Sequence, residues 1–357
     1  MNHKKILFIT PRAYVKTNER ASGITRVLTK RYDIHVILVN YEGKSPIQNL
    51  IKLLLSIPKI YFFGIKYNAD IILCELIELG FIGTILSILK GRPCIWDVQR
   101  NTLNLCKELN KPKVLEIIYI GIERILWRFV KKVLVSADAE KQAYAVQGLD
   151  SRKIEVIPIS ADFGLTKEID TDKTNLRNKL GINLNKKILL FFGGLDYQPN
   201  KIAAQWINNN LAPAIHDRFG ENIDILIVGN GEICNERHHP IVNFLGFKSN
   251  IFEYIYASDI VIVPVWKGEG QQTKLIDSMM CAKLTIVNKI SSVGIPQLID
   301  GYNTIIAQNK DEFIMKTLIA LKNIDNLGEI EINAKRMIET HYNWDRWKQN
   351  LYEIIEK

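Results

Sequence analysis

The chain has 357 residues, 47% hydrophobic and 24% charged, with a formal net charge of +9. That is globular composition, and the length suits two α/β domains of about 150 to 200 residues each. No apolar run reaches the roughly 20 residues of a membrane-spanning helix, and five scattered cysteines without a Cys-x-x-Cys argue against a disulfide framework or a zinc site.

The chain opens MNHKKILFIT, whose brief apolar run stops at Pro11-Arg12. That suits a first strand better than a signal peptide, and a reducing cytoplasm is the expected setting. A polar loop to Ser22 is followed by a helical pattern over Gly23–Lys30 and a second strand over His35–Val39. Asp70–Leu73, Cys94–Trp96 and Val133–Ser136 read as further buried strands with helical stretches between them. Short apolar runs alternating with helical patterns imply βαβ units and a parallel sheet. After Ile154–Pro158 comes a polar stretch over Lys167–Asn178, and the pattern restarts with strands at Ile188–Phe192, Asp224–Val228, Ile260–Val263 and Thr285–Val287. A hinge is therefore expected near residues 158–175, with domains at 1–160 and 161–340 and a returning helix at 341–357.

Charge is uneven. Residues 1–160 carry 25 Lys and Arg against 14 Asp and Glu, a net of +11. A basic half attracts nucleic acid, anionic lipid or an anionic substrate; a plain compositional preference for Lys explains it equally well. No aromatic-basic nucleic-acid module is present, so no nucleic-acid partner is expected. Asn49–Lys66 mixes Leu, Ile, Tyr and Phe with Lys52, Lys59 and Lys66, with Pro58 expected to break it. Such a face could rest on an anionic membrane; core helices with lysines at the rim are the plainer reading.

Three strand ends in the second half carry the chemistry. Phe191-Phe192-Gly193-Gly194-Leu195-Asp196-Tyr197 runs a strand into paired glycines, and Val228-Gly229-Asn230-Gly231 repeats the arrangement. Glycines at the carboxyl ends of parallel strands let a phosphate or sugar approach the backbone, or simply make tight turns. Neither G-x-G-x-x-G nor a P-loop occurs. The third is KGEGQQTKLIDSMMCAK, Lys267–Lys283, where a loop enters a helix near Gln272 or Thr273. A helix N-terminus offers unpaired N–H groups and a positive dipole end to a pyrophosphate. Lys274 in that first turn is disfavoured by the dipole, which a bound anion would explain. Asp277 could take two hydrogen bonds from a ribose diol, and Glu269 could reach a sugar hydroxyl. A solvated loop with a Lys274–Asp277 surface pair accounts for the same residues. Asp170-Thr171-Asp172 is a D-x-D in the polar linker, away from any buried strand, and is expected to be chance.

The second half resembles the donor-binding domain of glycosyltransferase family 4. Gly193 to Asn200 with Trp206 and Pro213 is similar to the G-x-M-D-Y-x-P-N…W…P pattern of one bacterial branch, and Val263-Pro264 through Asp277 to its P…G-x-G-x-x-x-K-x-x-E segment. Glu269 and Asp277 keep the E-x7-E spacing with Asp at the second place. Val293–Pro296 and Gly301 resemble the family's next segment, and Asn343-Trp344-Asp345 its final helix. The resemblance covers residues 185–350 well and the first half loosely.

It implies a GT-B α/β fold, two doubly wound Rossmann-like domains facing a central cleft, with a C-terminal helix packing back toward the first. It implies a retaining, metal-independent transfer from a nucleotide-diphosphate sugar to a glycan or lipid-linked acceptor, with no cofactor. Asp277 would hold the ribose and Glu269 the donor sugar. Gly193, Gly194 and the backbone of Gly270, Gln271, Gln272 and Thr273 would surround the diphosphate, Lys274 would neutralise it, and Gly229 and Leu245-Gly246-Phe247 would border the base. Many relatives place an Arg and a Lys where this chain has Gly194 and Asn200, and a His in the first domain where it has Trp96 to Asn101. Lys274 is the candidate for the missing charge, and Asp97, with Arg100 beside it, for the missing polar group; a strand-end Asp capping a loop is the alternative. Asp97, Lys274 and Glu269 are thus the expected catalytic residues. A degenerate nucleotide-sugar-binding protein and a nucleotide-sugar epimerase of similar shape remain as alternatives. The expected location is the cytoplasm, peripheral on the membrane.

Overall fold

The computed structural model describes residues 4–11, 19–39, 46–98, 112–231, 238–267 and 271–356. It divides into one unit of Met1–Ser160 with Trp344–Lys357, and a second of Ala161–Asn343.

The first unit runs β1 (Lys5–Pro11), α1 (Glu19–Thr29), β2 (Asp33–Val39), α2 (Pro46–Lys66), β3 (Ile71–Glu75), α3 (Ile77–Lys90), β4 (Cys94–Asp97), α4 (Lys113–Leu126), β5 (Val130–Val135), α5 (Asp138–Val146) and β6 (Ile154–Val156). The strands form one parallel sheet in the order β2-β1-β3-β4-β5-β6. Parallel strands covered on both faces read as continuous apolar runs. In β1, Leu7 and Ile9 face α2–α5 with Trp96 and Val133, while Ile6 and Phe8 face α1 with Ile24 and Leu28. This is the two-residue alternation of a strand, with both faces buried.

Two expectations change here. The first helix begins at Glu19, before the expected Gly23. Helix α2 runs through Pro58 without a break. Pro58 is exposed, so water can hydrate the carbonyl one turn earlier that loses its N–H partner.

The second unit runs α6 (Lys173–Leu180), β7 (Lys187–Phe192), α7 (Gln198–Trp206), α8 (Ala212–Phe219), β8 (Ile223–Val228), β9 (Val242–Gly246), α9 (Ile251–Ala257), β10 (Ile260–Val263), α10 (Thr273–Met280), β11 (Leu284–Asn288), α11 (Lys289–Ser292), β12 (Ile305–Ala307), α12 (Lys310–Lys322) and α13 (Gly328–His341). Its parallel sheet has the order β12-β11-β10-β7-β8-β9, the Rossmann order with its reversal between β7 and β10. Strands β9, whose residues after Val242 are exposed or half-buried, and β12, of only 3 residues, were missed in the sequence; both lie at the sheet edges. Asp170 and Asp172 are explained by α6: the Asn175 amide donates to Asp172 Oδ1 at 2.8 Å, and the Asp172 amide donates to Asp170 Oδ1 at 2.9 Å. The D-x-D is a helix cap.

The last helix, α14 (Trp344–Glu356), packs on α1 of the first unit. Trp344 lies flat against Gly23, where a Cβ would stand 2.1 Å from its indole. Tyr352 donates to the Val27 carbonyl at 3.1 Å, and Lys4 pairs with Glu356 at 2.8 Å.

Candidate functional site

In the second unit, the chain leaves β7 and β10 at the point where the strand order reverses. The connections part there, which makes a crevice at the carboxyl ends of the strands. Gly193, Gly194 and the start of α10 lie at these two ends.

The β7 turn is tied to its neighbour. The Gly193 amide donates to the Val228 carbonyl at 2.9 Å, and the Leu195 amide donates to the Asn230 carbonyl at 2.6 Å. Gly193 has φ +140°, which side chains rarely adopt, and a Cβ on it would stand 2.7 Å from the Asn200 amide nitrogen. A Cβ on Gly229 would stand 2.1 Å from the Gly193 carbonyl oxygen. Gly194 differs, since a Cβ there would meet nothing within 4 Å. Gly193 and Gly229 are thus demanded by packing, and Gly194 leaves bare backbone open to a ligand.

Helix α10 begins after Gln272, whose side chain does not cap it. Of the first-turn amides, that of Leu275 donates to the Gln272 carbonyl at 3.0 Å, and a helix start offers those before it to another acceptor. Gln271 is buried and Gln272 and Thr273 are half-buried. Lys274 is buried as well, with Nζ donating to Asn200 Oδ1 at 2.7 Å and standing 4.5 Å from the centre of the Phe191 ring. The ring face attracts a cation, but burial prevails and pushes the Lys274 pKa down to about 7. Asp277 is buried one turn further on, so a solvated Lys274–Asp277 surface pair does not describe these residues. Phe247 follows β9 and is exposed, and the Gly229 amide donates to the Gly246 carbonyl at 3.0 Å, which joins the β8 and β9 turns. Glu269, Gly270 and Arg100 lie outside the described residues.

Asp97 ends β4 as expected and is fully buried. Arg20 grips it with Nε donating to Oδ1 at 2.9 Å and to Oδ2 at 3.1 Å, and Nη2 donating to Oδ1 at 2.6 Å. Arg20 also donates to the Ile157 carbonyl, and Thr10 to Glu75 Oε2. Glu75 sits beside the pair, its pKa pushed up to about 8 by burial and then by the charge of Asp97. What encloses Asp97 is Arg20, which arrives from α1, more than seventy positions away in the chain.

Sequence reasoning missed Asn200 and Phe191 as parts of the site, and Arg20, Glu75 and Thr10 in the first unit. Asn200 left a signal, since the resemblance leads one to expect a Lys at its place. Glu75 left one too, as the lone acid ending an otherwise apolar strand, IILCE. Arg20 and Thr10 left none.

Residues 186–323 match the family model described as Glycosyl transferases group 1. An uncharacterized glycosyltransferase of Methanocaldococcus jannaschii is 24% identical over 347 residues, covering 92% of this chain and 83% of the relative. The Escherichia coli UDP-Gal:alpha-D-GlcNAc-diphosphoundecaprenol alpha-1,3-galactosyltransferase is 26% identical over 295 residues, covering 78% of this chain and 69% of the relative. Among solved structures, Anabaena HepE in complex with UDP and glucose aligns with a TM-score of 0.74 at 17% identity, over 99% of this chain and 100% of its own. The sucrose-phosphate synthase of Thermosynechococcus elongatus aligns with a TM-score of 0.77 at 12% identity, over 99% and 98%.

Proposed function

We propose that this chain, a family 4-like glycosyltransferase with the GT-B fold, moves a sugar from a nucleoside-diphosphate donor to a lipid-linked or glycan acceptor, with retention and without a metal. The observation that carries the donor reading is the buried Nζ of Lys274, held by Asn200 beside the Gly193 turn at the switch point.

In this reading the diphosphate lies between the Gly194 backbone and the first turn of α10. Amides and Lys274 meet its charge there, in a setting where hydrogen bonds to an anion are strong. Asp277 takes the ribose hydroxyls, Phe247 and Gly229 border the base, and Glu269 takes the donor sugar. The bond from the anomeric carbon to the phosphate oxygen breaks as the acceptor oxygen bonds to the same face. The acceptor proton passes to the leaving phosphate, and Lys274 stabilises the charge growing there. The complex of Anabaena HepE with UDP and glucose supports a UDP-sugar as the first donor to try. The diphosphoundecaprenol-linked substrate in the name of the E. coli relative supports a lipid-linked acceptor. Among the described residues, no helix is long and apolar enough to cross a membrane.

The test is thermal stabilisation by UDP-, GDP-, ADP- and dTDP-sugars, on the natural chain and on Asp277→Ala. A ligand that binds only the folded state raises the melting point by mass action. One nucleotide class should do so, and Asp277→Ala should abolish the rise. Stabilisation by none overturns the donor reading.

A further inference from the structure

The first unit exposes an apolar surface that no part of the proposed chemistry uses. Helices α2, α3 and α4 cover one face of its sheet side by side. Their inner sides supply core residues such as Ile60, Leu79 and Leu86. Their outer sides are also apolar: Leu55 is 73% exposed, Ile117 69%, Leu89 67%, Val114 67% and Phe62 64%. Single exposed hydrophobics are ordinary, but a run of them across adjoining helices marks an interaction surface.

Helix α4 is the clearest case, because its polarity is inverted. Its buried position is Glu123, while Val114, Ile117, Ile118 and Ile125 face outward. A water-facing helix has the opposite arrangement. On α2, the exposed Ile51, Leu55, Phe62 and Ile65 recur at helical spacing on one side.

The charges at the rim select the partner. Lys52, Lys59 and Lys66 on α2 are exposed, and that helix contains no acidic residue. Lys113 and Arg128 are exposed at the two ends of α4, whereas Glu123 is buried and Glu116 half-buried. Two such cationic rims would repel in a symmetric pair of copies, while anionic headgroups complement them.

We propose that the outer faces of α2, α3 and α4 form one docking surface that seats the first unit on an anionic lipid bilayer. The apolar side chains enter the boundary between headgroups and acyl chains, and the lysines meet the headgroups. The surface deepens the lipid-linked-acceptor reading and rests on it for its purpose, but its test needs no turnover.

The experiment is sedimentation of the full chain with phosphatidylglycerol–phosphatidylcholine vesicles and with phosphatidylcholine alone, at low and high salt, for the natural chain and for Leu55→Glu/Leu89→Glu/Ile117→Glu. These positions are exposed, so the variant should melt with the natural chain and keep its response to UDP-sugar. The expected result is sedimentation with the anionic vesicles that salt weakens but does not abolish, because screening acts on the rim and leaves the apolar contact. The variant should lose about tenfold or more in vesicle affinity. Equal binding by the variant, or no binding to any vesicle, overturns the proposal. A natural chain that stays off vesicles and runs as a dimer, with the variant monomeric, overturns it in favour of a second copy. A missing UDP-sugar response in both proteins would count against the donor reading alone.

Discussion

Lys274 on α10 donates to Asn200 on α7 across 2.7 Å, and the pair joins the two loops that flank the switch point of the second sheet. The cation comes from the facing helix and Asn200 receives it. With its pKa near 7, Lys274 is partly neutral in the free protein at neutral pH. An arriving diphosphate favours the ammonium, so binding should take up a proton above pH 7. Donor affinity should fall as pH rises beyond about 7, by up to roughly tenfold per pH unit. Lys274→Met should weaken binding at pH 7 by about tenfold to a hundredfold and remove this slope. Calorimetry in buffers of different ionisation enthalpy reads both effects.

The paired glycines should separate packing from ligand approach. Gly229→Ala drives a methyl into the Gly193 carbonyl and should cost about 2 kcal/mol or more in denaturant unfolding. Gly194→Ala enters open space and should leave stability within about 0.5 kcal/mol. Its methyl would stand where the diphosphate is placed, so donor affinity should drop roughly tenfold. Unchanged donor affinity in Gly194→Ala would move the diphosphate off that turn.

Arg20 and Asp97 should behave as a buried ion pair. Removing either partner strands the other, at a cost of about 3–5 kcal/mol. Arg20→Leu/Asp97→Leu should cost less than the sum of the single changes, which a double-mutant cycle on unfolding free energies measures.

Glu75 adds a pH dependence of known sign. Its carboxyl titrates near 8 in the fold against 4.5 ordinarily. Between these values the folded chain holds a proton that the unfolded chain has released. The stabilisation it contributes is complete below about pH 4.5 and is lost as pH rises toward 8. Glu75→Gln stays neutral throughout and can still accept from Thr10, so its melting point should fall less than that of the natural chain between pH 5 and 8.5.

Asp172→Ala should lose about 1 kcal/mol through the uncapped α6 and leave transfer rates unchanged with or without added divalent ions. Loss of activity on that substitution would give the D-x-D a role beyond capping the helix.

Both sheets were readable in the chain because their central strands are unbroken apolar runs such as ILFI and ILLFF, which only a doubly covered parallel sheet accommodates. The edge strands escaped because β9 mixes buried, half-buried and exposed residues without alternation and β12 is only 3 residues long, so neither carries a period. The candidate donor loops stood out in the chain because glycines and a Lys in the first turn of a helix are local anomalies that invite a ligand. The partnerships were not: Asn200 with Lys274, and Arg20 with Asp97, are contacts across more than seventy positions. Asp97 looked like an available carboxylate because a sequence shows the end of a strand but not what closes over it.

By itself the sequence determined the alternation of strands and helices, the two-unit organisation and the kind of residue at each strand end, since these follow from local periodicity and turn chemistry. The tertiary structure alone decided which charges are buried and with whom. Desolvation depends on every neighbour that folding brings in, and it turned Lys274 into a titrating amine and Asp97 into a locked partner of Arg20, while the way α4 packs left its apolar residues on the outside.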